Sequence, residues 1–304
     1  MTRRSAPFLA LLAAFALVAA ACGGEEEEGP GAEGICATVD TEAGDLLARI
    51  CEQGVLRVST DPAYPPQSFL NEETGEYEGF DIDVATEIAN RLGVRVEWEA
   101  PAWDTIVAGN WAGRWDVSVG SMTITPERAQ VLYFTTPYYY TPAAIAVHRD
   151  NTTIAGPADL TGKRIGVCGA CTYDFYLQGT LEIAQDPTGT PVLIESEIAD
   201  PDIRTYDTDT TAITDLALGD GTRLDAVISA LPTLQEAIDT GQPIKIVGEP
   251  LYYEPLSIAV DRASQLDATS LVEVLDDLVE QMHEDGTLTA YSMEWYGVDL
   301  TTLE

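Results

Sequence analysis

The chain has 304 residues, enough for about two domains on the usual domain size. Its 51 acidic residues against 15 basic ones give a formal net charge of −36. Such a charge repels polyanions, which excludes nucleic acids and anionic membrane surfaces as partners. The acidity is explained most simply by solubility. The alternative is that the negative charge attracts cationic ligands.

The N-terminal segment predicts export from the cytoplasm. Two arginines precede an apolar run that ends in small residues directly before Cys22. Residues 1–21 are therefore predicted to be a signal peptide. They resemble a bacterial lipoprotein signal, after which the cysteine becomes acylated. We expect attachment to the outer face of the cell membrane through lipidated Cys22 alone, because the apolar run is too short for a comfortable transmembrane helix. Residues 22–35 are predicted to form a flexible acidic tether.

Four cysteines remain once Cys22 is assigned to the lipid, and they fall into two pairs, Cys36 with Cys51 and Cys168 with Cys171. In an oxidising compartment, one disulfide within each pair is the simplest interpretation. A redox motif is the alternative for the second pair, since Cys-x-x-Cys there follows a predicted strand and precedes a predicted helix. No metal site is expected, because neither of the two histidines has ligand spacing.

The first half of the chain alternates strand and helix patterns. Apolar and polar residues alternate over residues 54–60, which predicts a strand. The proline-rich loop that follows carries Tyr64, which is either a stacking platform for a ligand or a packed loop aromatic. A helix with one apolar face is predicted over residues 79–92, and a strand over residues 94–98. Strand, helix and strand in this order predict a βαβ unit and a parallel sheet.

The stretch from Gly120 to Arg128 predicts an anion site. It follows a short buried strand, and its threonine and proline suit the cap and first position of a helix. Backbone N–H groups, the hydroxyls of Ser121 and Thr123, and one guanidinium would then converge at the carboxyl end of a strand. That combination favours a carboxylate. An ordinary strand–turn–helix segment with a surface arginine is the alternative.

A second α/β series is predicted from residue 164 onward. Its strands are expected at residues 164–167, 203–206, 225–229, 245–247 and 257–260, and its helices at residues 173–181, 208–218, 231–239 and 268–285. Two lobes joined by crossing segments near Val147 and Gly248 would explain why strands return after this series. We predict lobe 1 over residues 36–147 plus 249–304, and lobe 2 over residues 148–248.

Taken in order, these motifs resemble those of the family 3 extracellular solute-binding proteins, which feed ATP-binding-cassette importers, mostly for amino acids. The resemblance covers residues 54–297. It rests on residues 56–58, 64–66, 79–84 (Gly-Phe-Asp-Ile-Asp-Val), 123–128 (Thr-Ile-Thr-Pro-Glu-Arg), 134–139, 225–227, 286–287 and 295–297 (Trp-Tyr-Gly). It implies an α/β fold of the type II periplasmic-binding-protein class. Each of its two lobes would be a mainly parallel sheet flanked by helices, with two hinge crossings and the ligand between the lobes.

The resemblance also implies the ligand-binding residues. Arg128 would bind the ligand's carboxylate, and Asp61 could receive a cationic group. The other positions would supply stacking, hydroxyl or backbone contacts: Tyr64 and Trp103 around the ligand, Gly120, Ser121 and Thr123 from the first lobe, and Cys171 and Thr172 from the second.

The chain departs from the family's pattern at the expected partner of the ligand's amino group. The family usually places an Asp after the strand of residues 225–228, whereas this chain has Ala230 at that position. A buried ammonium without a carboxylate would be costly. Either Asp61, Asp174 or another acid therefore takes over, or the ligand is not an ordinary α-amino acid. The predicted second-lobe turn also carries a cysteine pair where many members have a plainer sequence.

We therefore expect a monomeric binding protein without a cofactor, and not an enzyme. An open cleft would capture a small carboxylate-bearing solute, such as an amino acid or a derivative, then close and present it to a membrane permease. A dehydratase-like enzyme on the same fold is one alternative, although the sequence suggests no Ser/His or Cys/His pair. A ligand-binding sensor subunit that feeds no importer is the other.

Overall fold

The computed structural model describes residues 34–303. The predicted signal peptide, the predicted lipidation site Cys22 and most of the predicted tether lie outside these residues. Within residues 34–303, no helix combines the length and the apolar character needed to cross a membrane.

Helices of five to 16 residues flank the sheets. In chain order they are α1 (Leu46–Gln53), α2 (Phe80–Leu92), α3 (Trp103–Val107), α4 (Pro126–Val131), α5 (Thr172–Gln178), α6 (Asp209–Ala217), α7 (Leu231–Asp239), α8 (Thr269–Glu284) and α9 (Thr287–Tyr296). Helix α2 forms as predicted, since its apolar face is buried and Gly93 ends it in the left-handed conformation that glycine adopts without strain.

The strands fall into one large sheet and two small ones. In chain order they are β1 (Val55–Ser59), β2 (Ala63–Tyr64), β3 (Ser68–Leu70), β4 (Tyr77–Glu78), β5 (Arg95–Glu99), β6 (Val117–Thr123), β7 (Leu132–Phe134), β8 (Tyr139–His148), β9 (Arg164–Cys168), β10 (Glu182–Ile183), β11 (Val192–Leu193), β12 (Asp202–Tyr206), β13 (Ala226–Ala230) and β14 (Ile244–Asp261).

The large sheet has the order β12-β9-β13-β8-β14-β6-β1-β5, with β7 paired to β14. Its two outer blocks are parallel: β6, β1 and β5 on one side, and β12, β9 and β13 on the other. The long strands β8 and β14 join the blocks and pair antiparallel with each other and with their neighbours. The predicted α/β fold with parallel blocks flanked by helices is confirmed, but the two blocks belong to one continuous sheet because β8 and β14 pair across the junction.

Strand β14 differs from the prediction, which placed separate strands at residues 245–247 and 257–260. Both belong to one 18-residue strand. The prediction left residues 248–256 outside any strand, but β8 supplies backbone partners at both ends of this stretch. The pairing register shifts between Val247 and Tyr252 and absorbs the irregular residues. Helices α1 and α9 and the two small sheets were not predicted.

The apolar core divides along the two crossing strands. Tyr139 of β8 and Leu256 of β14 pack in the core built around α2 and α8. Ala143 and Tyr252 of the same two strands pack in the core built around β9 and α5. The change within a few residues of each strand supports a two-lobe division. The predicted lobe boundaries at residues 147/148 and 248/249 stay a proposal.

Both predicted disulfides are present. Cys36 and Cys51 join the segment before α1 to α1 itself, with their Cα atoms 5.1 Å apart. Cys168 and Cys171 bridge the turn between β9 and α5, with a Cα separation of 5.6 Å. Both separations lie within the range that a disulfide can span.

Candidate ligand-binding site

A cavity, partly open to solvent, lies between the two blocks of the fold. Residues from both blocks line it: Asp61, Tyr64, Trp103, Gly120, Ser121, Thr123, Arg128, Cys168, Cys171, Thr172, Tyr173, Asp207, Thr208, Asp209 and Glu254. Every ligand-binding position predicted from the sequence is in this set. The structure therefore brings the predicted residues together, and their contact with a ligand stays a prediction.

The Gly120–Arg128 stretch is built as a strand followed by a helix. Strand β6 continues through Thr123 because β14 pairs with it there, so the residues expected to form a turn are largely strand. The side chain of Thr125 accepts a hydrogen bond from the N–H of Arg128 and caps α4, whose first residue is Pro126. Arg128 thereby lies in the first turn of a helix at the carboxyl end of a sheet strand.

Arg128 is buried, so the alternative of a surface arginine is wrong. Its guanidinium donates from Nη1 to the carbonyl of Thr123 and from Nη2 to the carbonyl of Ala170, both at 3.0 Å. The guanidinium carbon also lies 5.1 Å from the centre of the Trp103 ring. No carboxylate of residues 34–303 lies within ion-pair distance of Arg128. Burial lowers the pKa of Arg128 to about 10, so it remains a cation at neutral pH.

The hydroxyl of Ser121 is already used inside the protein. Its Oγ donates to Oδ2 of Asp81 at 2.7 Å, and Tyr138 donates to Oδ1 of the same carboxylate at 2.6 Å. The backbone N–H of Ser121, which has a φ of 55°, donates to the Tyr138 hydroxyl at 3.1 Å. Burial raises the pKa of Asp81 to about 7, and these hydrogen bonds limit the rise. Asp81 and Tyr138, neither singled out from the sequence, thus hold Ser121 in place in the cavity wall.

Tyr64 and Trp103 line the cavity, and each contacts the opposite block. The Tyr64 hydroxyl is 3.3 Å from that of Tyr173, and Nε1 of Trp103 donates to the Ala170 carbonyl at 3.3 Å. Tyr64 therefore belongs to the cavity wall, as the ligand-platform interpretation requires. Burial and nearby acids hold the pKa of Tyr64 well above its usual range, so its hydroxyl stays protonated.

The turn from β9 to α5 closes the second side of the cavity. The Cys168–Cys171 disulfide braces it, and Ala170 within it has a φ of 58°. This conformation aims the Ala170 carbonyl at both Arg128 and Trp103. The two sulfur atoms also lie near a carboxylate oxygen of Asp209, within 4.8 Å. Because both sulfurs are in a disulfide, they are not available as thiolate metal ligands.

Two acids of the cavity were not identified from the sequence. Glu254 lies in the middle of β14, is 3% exposed, and accepts hydrogen bonds from the hydroxyls of Thr123, at 2.9 Å, and Thr172. Burial raises its pKa. A lone acid inside the apolar run of residues 251–260 was the available signal. Asp209 is the first residue of α6 and resembled an ordinary helix-start acid, so no sequence signal distinguished it.

Asp209 is 6% exposed, and its Oδ1 has no hydrogen-bond partner among residues 34–303. Burial, together with the charges of Asp61 and Glu254, raises its pKa to about 7, and the nearby Ser229 hydroxyl, which makes no well-formed hydrogen bond with it, limits the rise. Asp61 itself is half-buried and accepts the N–H of Ala63 at 2.8 Å. Asp174, named from the sequence as a replacement acid, is not among the lining residues, and its carboxylate accepts a hydrogen bond from Gln178 at 2.7 Å.

Known proteins share the sequence motifs and the fold described above. A model of the family described as "Bacterial extracellular solute-binding proteins, family 3" matches residues 56–298. The L-cystine-binding protein TcyJ of Escherichia coli (strain K12) is 31% identical over 258 residues, which cover 84% of this chain and 88% of that protein. The ABC transporter arginine-binding protein 1 of the same strain is 28% identical and covers 77% of this chain and 87% of its own length.

Solved structures agree with these relatives. An ancestral arginine-binding protein bound to arginine superposes with a TM-score of 0.67 at 32% identity, covering 80% of this chain and 99% of its own. The ancestral amino acid-binding protein AncCDT-1, a precursor of cyclohexadienyl dehydratase, superposes with a TM-score of 0.68 at 28% identity, covering 82% and 99%. The fold is that of the type II periplasmic binding proteins, and the chain belongs to family 3 of the bacterial extracellular solute-binding proteins.

Proposed function

We propose that this protein is the substrate-binding component of an ATP-binding-cassette importer, and that it captures a small carboxylate-bearing solute, an amino acid or a derivative, in the cavity between its lobes. Its relatives include proteins named for the binding of cystine and of arginine. The solute would then be delivered to a membrane permease. The comparisons do not favour the dehydratase alternative, since the neighbour related to that activity is itself named an amino acid-binding protein.

The environment of Arg128 is the observation that carries the proposal. A guanidinium has five N–H donors, and the Arg128 guanidinium donates two hydrogen bonds to backbone carbonyls. The charge of Glu254 acts on Arg128, but no carboxylate of the described residues is in direct contact with the guanidinium. A buried cation without a bound counter-ion is costly, so the site gains from an anion that binds the guanidinium directly. A carboxylate suits the planar guanidinium because it can accept two parallel hydrogen bonds.

Contacts between the lobes support capture by closure. Arg128 and Trp103 on one side share the Ala170 carbonyl on the other, and Thr210 donates to the Ala63 carbonyl at 2.7 Å. A ligand that contacts both sides stabilises the closed arrangement by its differential affinity for that state. The same coupling makes closure the signal that a permease can read.

Location and assembly form part of the same proposal. Acylation of Cys22 would hold a monomer at the outer face of the cell membrane, and the acidic segment of residues 22–35 would act as its tether. The support is the sequence pattern of residues 1–22, whose small residues precede the cysteine. Replacement of Cys22 by Ser should release the protein from the membrane fraction and abolish incorporation of labelled fatty acid. Retention in that fraction would contradict lipid anchoring.

The decisive experiment is a binding screen on the purified chain without its signal peptide. Thermal-shift measurements with amino acids, polyamines, betaines and dicarboxylates should reveal a ligand, since a tight ligand in excess raises Tm. Calorimetry should then give a Kd in the micromolar range or below. If no carboxylate-bearing compound raises Tm while an amine without a carboxylate does, the assignment of the cavity is wrong.

A further inference from the structure

The sequence leaves the ligand's amino group without its expected acidic partner, and the register of the sheet indicates a replacement. Ala230 at the end of β13 pairs with Ala143 of β8, and Ala143 pairs on its other side with Tyr252 of β14. These three residues therefore lie side by side. Glu254 follows Tyr252 by two residues along β14, which puts its side chain on the same face of the sheet.

The surroundings of Glu254 suit a cation. Its Oε1 accepts hydrogen bonds from hydroxyls on both sides of the cavity, Thr123 on β6 and Thr172 on α5. No lysine, arginine or histidine within residues 34–303 forms an ion pair with it. The charge of Arg128 limits the rise in the pKa of Glu254 without a direct ion pair. The buried carboxylate is therefore only partly compensated, and an ammonium group in contact with it would complete the compensation.

Glu254 is also near the guanidinium that the carboxylate would use. Thr123 links the two groups, since its carbonyl accepts from Arg128 at 3.0 Å and its hydroxyl donates to Glu254 at 2.9 Å. An α-amino acid carries its carboxylate and its ammonium on the same carbon. The partners of the two groups must therefore be close neighbours, and Arg128 and Glu254 meet that requirement.

We propose that Glu254 binds the α-ammonium group of the ligand and replaces the family's Asp, whose position Ala230 occupies. This inference rests on the proposed function and specifies its ligand as an α-amino acid rather than a simple carboxylic acid. The hydroxyls of Thr123 and Thr172 orient the carboxylate of Glu254. Because these two residues lie on opposite sides of the cavity, binding of the ligand's ammonium would involve both lobes.

Matched ligand pairs test the proposal. Calorimetry would compare L-arginine with δ-guanidinovalerate, L-cystine with dithiodipropionate, and L-glutamine with glutaramate, each second compound lacking the α-amino groups. The wild type should bind at least one amino acid more than about tenfold more tightly than its partner compound, as expected for a charge-assisted hydrogen bond. In Glu254→Gln, which keeps the size and the acceptor oxygen, that preference should fall by about tenfold or more. Glu249→Gln, an exposed change on the same strand, is the control.

The outcomes separate this inference from the proposed function. An amino acid that binds the wild type, loses affinity in Arg128→Ala and binds Glu254→Gln unchanged would overturn the role of Glu254 alone. The same conclusion would follow if every amino acid that binds the wild type had the same affinity as its compound without the α-amino group. If none of the acids binds the wild type, the proposed function fails and this inference fails with it. Circular dichroism and Tm establish that Glu254→Gln is folded.

A different observation carries a second inference, which concerns the far end of the ligand. Oδ1 of Asp209 is buried and unpartnered among the described residues, and Asp209 lines the cavity together with Asp61. Within residues 34–303, no lysine, arginine or histidine forms an ion pair with Asp209, whereas Asp61 and Asp207 line the same cavity. The Asp209 end of the cavity is therefore acidic and lacks a cation of its own.

We infer that Asp209 receives a second cationic group of the ligand, so that the favoured solutes are amino acids with an ammonium or guanidinium distant from the α-carbon. At least one of L-arginine, L-lysine and L-cystine should bind about tenfold more tightly, or more, than each of the neutral compounds L-citrulline, L-norleucine and L-glutamine. Asp209→Asn should remove that preference, and the exposed Asp200→Asn should not. A wild type that prefers the neutral set, or an unchanged preference in Asp209→Asn, would overturn the inference.

Discussion

The carbonyl oxygen of Ala170 accepts a hydrogen bond from Nη2 of Arg128 at 3.0 Å, although 42 positions of sequence separate the two residues. This contact joins the helix that carries the guanidinium to the disulfide-braced turn on the opposite side of the cavity. The residue that would bind the ligand's carboxylate is therefore also a residue that holds the two sides together. A substitution of Arg128 should therefore affect both ligand binding and the contact between the two sides.

Replacement of Arg128 by Ala should weaken the binding of an amino acid ligand by well over tenfold, because a charge-assisted bidentate contact is lost. Agmatine, which is arginine without its carboxylate, should bind the wild type and the variant with similar weak affinity. Calorimetry measures both constants. Arg95→Ala, on the exposed face of β5, is the matched control. An unchanged Kd for the amino acid in Arg128→Ala would refute the carboxylate assignment.

Trp103 should report on ligand binding through its fluorescence. Its indole nitrogen donates to the Ala170 carbonyl, and its ring lies beside the Arg128 guanidinium. Ligand that enters between these groups must change the environment of the ring. Trp103→Phe should remove most of the ligand-induced signal and weaken binding by about two- to 30-fold, which corresponds to the roughly 0.5–2 kcal/mol of a cation–π contact with its hydrogen bond. Persistence of the full signal in Trp103→Phe would place the ligand elsewhere.

The two disulfides should have separable roles. Cys36 and Cys51 are 15 positions apart, so replacing both by Ser should reduce the free energy of unfolding by about 3 kcal/mol and leave Kd unchanged. Replacing Cys168 and Cys171 by Ser should instead weaken ligand binding, because the turn that carries the Ala170 carbonyl loses its brace. Denaturant titration and calorimetry measure the two effects.

The same variants test the redox alternative for the second pair. The wild type should show no activity in an insulin-reduction assay, because a structural disulfide in an oxidising compartment is not a catalyst. Activity in that assay that disappears in Cys168→Ser would favour the redox interpretation instead.

The stability of the ligand-free protein should fall as the pH rises from about 4 to about 7. Burial raises the pKa of Asp81 and of Asp209 to about 7, above the ordinary value of 3.8. Asp81 faces Tyr138, Ser121 and the charge of Asp61, and Asp209 faces the charges of Asp61 and Glu254. Between the two pKa values the folded state binds more protons than the unfolded state, so raising the pH disfavours folding.

Tm measured against pH checks this prediction. The contribution of these groups should be fully present below pH 4 and lost as the pH passes 7, while the ionisation of surface acids acts separately. Asp209→Asn should flatten the curve between these limits. A ligand with a cationic group should also flatten it, because the cation stabilises the ionised carboxylate. A slope that Asp209→Asn leaves unaltered would show that this residue does not titrate in the stated range.

Much of the fold follows from local pattern. The apolar spacing of α2, with Gly93 after it, predicted a helix whose bounds the structure reproduces within one residue. The start of α4 was equally readable, since Thr125 and Pro126 have backbone preferences that act within a single turn. Strand β14 was predicted in two pieces, because the partner strand that holds its irregular centre is distant in sequence.

For this protein, the sequence by itself determined most strands and helices of the two parallel blocks and the position of Arg128 at the start of a helix. Each of these depends on residues close in the chain or on a resemblance carried by several motifs. The sequence made the two disulfides the simplest pairing of four cysteines, and the structure showed that they form. Only the tertiary structure decided that Glu254 meets Thr123, 131 positions away, and that Asp209 is buried without a partner. Burial and cross-strand register are set by the packing of both lobes, and no local pattern encodes which charges that packing leaves uncompensated.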